Sequence, residues 1–122
     1  MSRARRTTAF LATLLGGAGA LHMIRPEPFD SIVPPALPVP ARAVTYASGA
    51  AELVVAGMLV APRTRRMGGV AATALFIAVF PANIQMAYDW RSARPRQRAI
   101  AYGRLPLQGV LIGQALHVAR NG

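Results

Sequence analysis

The chain has no cysteine, no lysine and only four acidic residues among its 122 positions. Without cysteine, disulfide exchange, thiolate catalysis, iron–sulfur ligation and cysteine-based zinc sites are excluded, and the redox compartment is left open. The missing lysine, beside abundant alanine, glycine, proline and arginine, is a compositional sign of a high-GC bacterial genome. Acidic charge is scarce. Charged residues make up 15% of the chain against 53% hydrophobic ones, the balance of a membrane protein rather than a soluble one.

What the chain has instead is four long apolar stretches, at residues 7–24, 43–61, 67–88 and 100–119. Crossing a hydrocarbon core takes about 20 helical residues, so each predicts a spanning helix. These spans and their connectors use all of residues 1–122. The expected fold is therefore all-α, a single four-transmembrane-helix bundle with a Pro-rich loop between helices 1 and 2. Arg3, Arg5 and Arg6 ahead of the first run, with Ala18-Gly19-Ala20 near its end, also fit a cleavable secretory signal. The run continues to Ile24, and Gly16, Gly17 and Ala20 suit close helix packing, which favours a retained helix.

The net charge of +10 would ordinarily suggest nucleic acid. Placement argues otherwise. All fourteen basic residues are Arg, and thirteen lie outside the apolar stretches, as interfacial anchors rather than a phosphate-tracking face. No nucleic-acid partner is expected. Seven of those Arg fall on the side of the termini and six on the other, and the first helix favours cytoplasmic termini. The expected location is the bacterial inner membrane, multi-pass.

The connector at 26–40 holds six of the ten prolines and is expected to be irregular, since each Pro removes a donor and restricts its predecessor. It also carries Phe29, Ile32, Val33, Leu37 and Val39. An irregular but apolar segment belongs at the membrane surface or folded over the bundle mouth; a rigid linker is the alternative.

Glu52 sits near the middle of the second span. A carboxylate at a membrane helix centre costs from about 2.5 kcal/mol upward and is by default a functional-site candidate. Thr45 and Ser48 share its stripe at spacings of three and four. Because antiparallel neighbours reverse direction, His22 late in the first span, Asn83 late in the third, and Arg104 and Gln108 early in the fourth converge on the same membrane half. At 1.5 Å per residue, Arg104 and Gln108 lie roughly 6 and 12 Å below the start of their helix and Glu52 roughly 14 Å below its own. A Glu52–Arg104 pair bridged by Gln108 or Asn83 is the preferred resolution, with a protonated Glu52 the alternative. Pro81, lacking an N–H, frees the Ile77 carbonyl and predicts a kink close to Asn83.

Blander roles compete at each position. A membrane Asn or Gln commonly serves as interhelical glue, the reading preferred for Gln85, and Gln114 reads as packing. Gly16, Gly17, Gly109 and Gly113 suit internal packing or dimerisation, with internal packing preferred for the GxxxG match at Gly109 and Gly113. The Glu52 pair itself can simply fix helix register. His117 lies at the opposite end of the bundle from His22, so no metal or haem site is expected.

The segments LHMIRPEPFDSIVPPALPVP, SGAAELVVAGMLVAPRTRR, FPANIQMA and RLPLQ, in that order, resemble the DoxX-like family of small four-helix integral membrane proteins. The resemblance covers the chain from about Gly16 to Gln114. It implies a four-helix membrane bundle whose shared polar core is His22, Glu52, Asn83, Arg104 and Gln108. It also implies association with redox systems, since the family is named for a subunit of thiosulfate:quinone oxidation and includes anchors for redox partners and, distantly, receptor-assembly chaperones.

The candidate ligand-binding residues are thus His22, Ser48, Glu52, Asn83, Arg104 and Gln108, with Trp90, Tyr88 and Phe29 at the mouth. The expected function is a membrane subunit that binds a lipophilic ligand, a quinone being the candidate cofactor, as an accessory to a membrane oxidoreductase rather than an enzyme on its own. The alternative is a non-catalytic anchor or assembly protein, with a membrane or redox protein, or a second copy of the chain, as partner. A transporter is disfavoured because the other membrane half supplies almost no polar residues.

Overall fold

A computed structural model describes residues 2–31, 33 and 35–122. Among them the chain is all-α, with no strand. Its helices are α1 (Arg3–Ile24), α2 (Glu27–Asp30), α3 (Ala41–Val60), α4 (Arg65–Asp89) and α5 (Pro95–Asn121).

The helix ends follow from local chemistry. Ser2 caps α1 by accepting the Arg5 N–H at 3.2 Å, so the helix begins before the apolar run and takes Arg3, Arg5 and Arg6 into its first turns. Likewise α5 starts at Pro95, where a missing N–H costs nothing, five residues ahead of the expected 100. At the α3–α4 turn, Arg65 donates to the Leu59 and Val60 carbonyls at 3.0 and 3.1 Å, and Thr64 to the Met58 carbonyl at 2.8 Å. These bonds satisfy carbonyls that the end of α3 leaves open.

The Pro-rich connector departs from expectation at its start. Pro26 and Pro28 occupy the cap and second position of the one-turn α2, where neither needs an N–H. Residues 35–39 are turns and bends, and Ile32 lies outside the described residues.

The long helices associate as two close pairs, α1 with α3 and α4 with α5. The α3–α4 seam joins the pairs on one side, and the sparser α1–α5 seam on the other. Glycine sets the closest approaches. A Cβ on Gly49 would lie 2.6 Å from the His22 Cβ and 3.2 Å from the Gly19 carbonyl oxygen, while one on Gly69 would meet the Ala119 backbone. These are not the glycines the sequence singled out. Gly17, Gly109 and Gly113 face open space, and Gly16 makes only an ordinary contact with Ala56, so the GxxxG pair on α5 points outward rather than into the bundle.

Toward the chain termini the interior is mostly apolar, built from residues such as Leu11, Leu15, Leu59, Ala72, Ala115 and Val118, with Thr8 buried beside them. A second small cluster, Met86, Ala87 and Ala101, closes α4 on α5 near Trp90. Glu52, Asn83, Gln108 and Thr45 are buried as well. Outside, large apolar side chains point away from the protein, among them Val54, Met67, Ile77 and Val110.

Three helices, α1, α3 and α4, are long and apolar enough to cross a membrane. The stretch expected to form the fourth span is helical, as α5, but it is not among those three. Arg104, Gln108, Gln114 and His117 interrupt its apolar character.

The packing makes a directional prediction. Gly49→Leu forces α1 from α3 and should lower stability by about 1–3 kcal/mol, whereas Gly113→Ala, facing open space, should be neutral to stabilising by up to about 1 kcal/mol. Thermal unfolding of both variants in one membrane mimetic checks the contrast.

Candidate functional site

A cavity of about 440 Å³ lies between the two helix pairs, at the end away from the chain termini. Its size is that of a small-ligand site. Leu14, Leu15 and Ala18 of α1, Leu75, Phe76 and Val79 of α4, and Leu107 and Leu111 of α5 make most of its wall apolar. His22, Ser48, Glu52, Arg104 and Gln108 supply most of its polar groups. Five of the six candidate residues therefore line one space, and the sixth, Asn83, stands directly behind Gln108.

Glu52 meets His22, not Arg104. The His22 Nε2 lies 3.3 Å from Glu52 Oε1, with both side chains almost wholly buried. Arg104 makes no ion pair or hydrogen bond with any described residue, which corrects the expected Glu52–Arg104 pair. Neighbour order is the reason: α1 packs along α3, whereas α5 packs on α4 and, sparsely, on α1.

The other ring nitrogen decides the proton count. His22 Nδ1 is 2.6 Å from the Ala18 carbonyl oxygen, which can only accept, so Nδ1 carries a hydrogen. A neutral His22 then turns a bare Nε2 lone pair toward the carboxyl. Two acceptors 3.3 Å apart in an apolar surround repel unless one holds a proton. The pair is accordingly either imidazolium and carboxylate or imidazole and carboxylic acid. Both arrangements hold one proton and no net charge.

The mouth above this pair is covered by α2. Phe29 stacks on the His22 ring with centroids 3.8 Å apart and an 18° interplanar angle. Asp30 anchors the turn: one carboxylate oxygen accepts from Thr45 Oγ1 at 2.5 Å and the other from Arg42 Nε at 2.8 Å. Sequence reasoning placed Phe29 at the mouth and Thr45 on the Glu52 stripe but missed Asp30, whose partners lie twelve and fifteen residues away. Trp90 and Tyr88 are not at the mouth. Trp90 packs beside Met86 and Ala87, and Tyr88 is exposed beneath the Arg91 guanidinium.

On the opposite wall, Asn83 Nδ2 donates to Gln108 Oε1 at 3.1 Å, and Gln108 Nε2 donates to the Phe76 carbonyl at 2.6 Å. The carbonyl met is one residue before Ile77, whose helical donor Pro81 removes. Asn83 Oδ1 is buried with no donor among the described residues. Gln85, expected to glue helices together, bonds Asp89 on its own helix at 2.9 Å.

A family model described as a domain of unknown function, DUF8561, matches residues 11–119. The chain belongs to the DUF8561 family. The match contains every residue that lines the cavity. No curated protein and no solved structure matches the chain.

In this DUF8561 chain the mouth contact carries a pH signature. The Thr45 hydroxyl and then Arg42 hold the Asp30 carboxyl below its ordinary value. A carboxyl lowered on folding stabilises the docked α2 fully above its unfolded pKa of about 3.9 and loses that contribution as pH falls through the lower folded value. NMR titration should therefore place the Asp30 midpoint below about 3.9, and Thr45→Val should move it upward.

Proposed function

We propose that this chain is a four-span bundle in a bacterial inner membrane, and that its central cavity binds a lipophilic small molecule as an accessory to a redox system. The observation that carries the reading is a largely apolar cavity holding a buried His22–Glu52 pair at its polar end. Buried ionisable groups facing a cavity in a membrane protein mark sites more often than they stabilise folds.

The outward face of α5 supports counting it as the fourth span. Ile100, Leu107, Val110 and Leu116 are all exposed there, while Arg104 and Gln108 turn inward. A helix with that division suits lipid on one side and a polar cavity on the other. With four spans, the Arg residues divide almost evenly between the two sides, and the first-helix preference favours both termini in the cytoplasm.

The resemblance to DoxX-like proteins suggests a quinone as the ligand and a redox protein as the partner. The apolar wall suits an isoprenoid tail, and the His22–Glu52 pair marks its polar end. A bound quinone would supply the electron-carrying chemistry that this chain's own residues lack. What the chain itself does is bind, orient and keep water away, so it acts as a subunit rather than an enzyme alone.

A second reading draws on a different observation. Gly109 and Gly113 lie on the outer face of α5 with open space around them, a small-residue seam suited to a helix from a partner or a second copy. On that reading the protein is an anchor or assembly factor and its polar core only fixes its structure.

The two are separated by small-molecule mass spectrometry on protein purified in a mild membrane mimetic. A lipophile retained by the wild type and lost from a folded Glu52→Gln variant is the expected result. An identical small-molecule profile in both folded proteins would overturn the ligand-site reading in favour of the anchor.

A further inference from the structure

Charge accounting around the cavity narrows the ligand. From α1 it is faced by His22, from α3 by Glu52 and from α5 by Arg104, while α4 contributes no charged residue. Asp30 of α2, above the mouth, is matched by Arg42. The His22–Glu52 pair, holding one proton, is neutral as a unit. Arg104 is left as an unbalanced positive charge, half-buried, with five donors and no acceptor among the described residues.

A lone guanidinium on an apolar wall is costly unless an anion meets it. No described side chain does so, and a neutral quinone oxygen would leave the charge standing. We infer that the cavity takes a single-chain amphiphile with an anionic oxyanion head, its head on Arg104 and its tail along the apolar wall. Guanidinium is the side chain whose fork matches a carboxylate or phosphate with two parallel hydrogen bonds. This inference rests on the ligand-cavity reading and replaces a neutral ring by an anion at its polar end.

The route in fits the same ligand. The α1–α5 seam is the sparsest between neighbouring long helices, and Leu14 on one edge and Leu107 on the other are exposed outside while lining the cavity within. The opening is apolar and faces the direction in which lipid would lie. The space accommodates one chain and a compact head rather than a two-chain phospholipid.

The test compares three probes of equal chain length, hexadecanoate, monohexadecyl phosphate and hexadecanol, binding to the full chain in phosphatidylcholine nanodiscs. Empty discs give the background, and alkaline buffer keeps the carboxylate ionised. One or both anions should bind at least about 10-fold more tightly than the alcohol, as a charge-assisted hydrogen bond implies. Whichever anion binds more tightly identifies a carboxylate or a phosphate monoester as the source of the head. Arg104→Gln should erase the preference while still taking hexadecanol, and Arg104→Lys should keep part of it. Hexadecanol binding as tightly as both anions, or an undiminished preference in folded Arg104→Gln, would overturn the anionic head and leave the cavity reading standing. Failure of all three probes to bind would overturn both. If Arg104→Gln does not fold, the wild-type preference decides.

Discussion

Glu52 is 8% exposed inside a bundle whose outer surface is apolar, and an acid in that position must be met by a proton or a cation. His22 meets it, and several features of the fold serve that contact. Gly49 has no side chain, which lets the His22 Cβ come against α3 where any other residue would hold the helices apart. The Ala18 carbonyl fixes the ring's tautomer and turns Nε2 toward the carboxyl. Phe29 lies flat on the ring, so α2 is positioned by the same imidazole that balances the acid. One electrostatic requirement thus links the α1–α3 crossing to the cover over the mouth.

The other wall is held by a side-chain relay beside a proline. Pro81 keeps α4 helical but withdraws an N–H from a carbonyl on the preceding turn, in a place where water is scarce. Gln108 reaches across from α5 to the neighbouring Phe76 carbonyl and is itself held by Asn83. Arg104 precedes Gln108 by one turn and faces the same cavity. The inward face of α5 thus carries Arg104 and Gln108 at the cavity among apolar residues such as Leu111, Ala115 and Val118. The average hydrophobicity of α5 falls below that of α1, α3 and α4 because it also carries Arg96, Gln97, Arg98, Arg120 and Asn121 near its ends.

How much of this was legible in the sequence depends on the kind of constraint involved. The level of each polar residue was legible, because helix rise and antiparallel alternation fix depth without knowledge of packing; His22, Ser48, Glu52, Arg104 and Gln108 accordingly share one cavity. Partner choice was not. Depth is the same for a neighbouring helix and a diagonal one, and only the packing order separates His22 from Arg104 as the mate of Glu52. Gly49 was equally hidden: the GxxxG spacing at Gly109 and Gly113 drew attention to glycines that face open space, while the working contact joins single glycines on different helices, Gly19 and Gly49. Asp30 was hidden for a related reason, since the one-turn helix that presents it forms only where the prolines fall at positions that need no donor.

The same geometry bears on what the cavity can do. It is bounded toward the chain termini by an apolar cluster that includes Leu11, Leu15, Leu59 and Val118. At the other end Phe29 and the Asp30 contacts close the mouth. What remains is the sparse seam between α1 and α5, flanked by leucines. A passage for a water-soluble solute needs polar groups in sequence from one side to the other, whereas a site for a lipid-dissolved molecule needs one lateral opening and a polar end. Arg104, His22 and Glu52 form such an end, which supports the proposal that a lipophilic molecule is retained rather than transported.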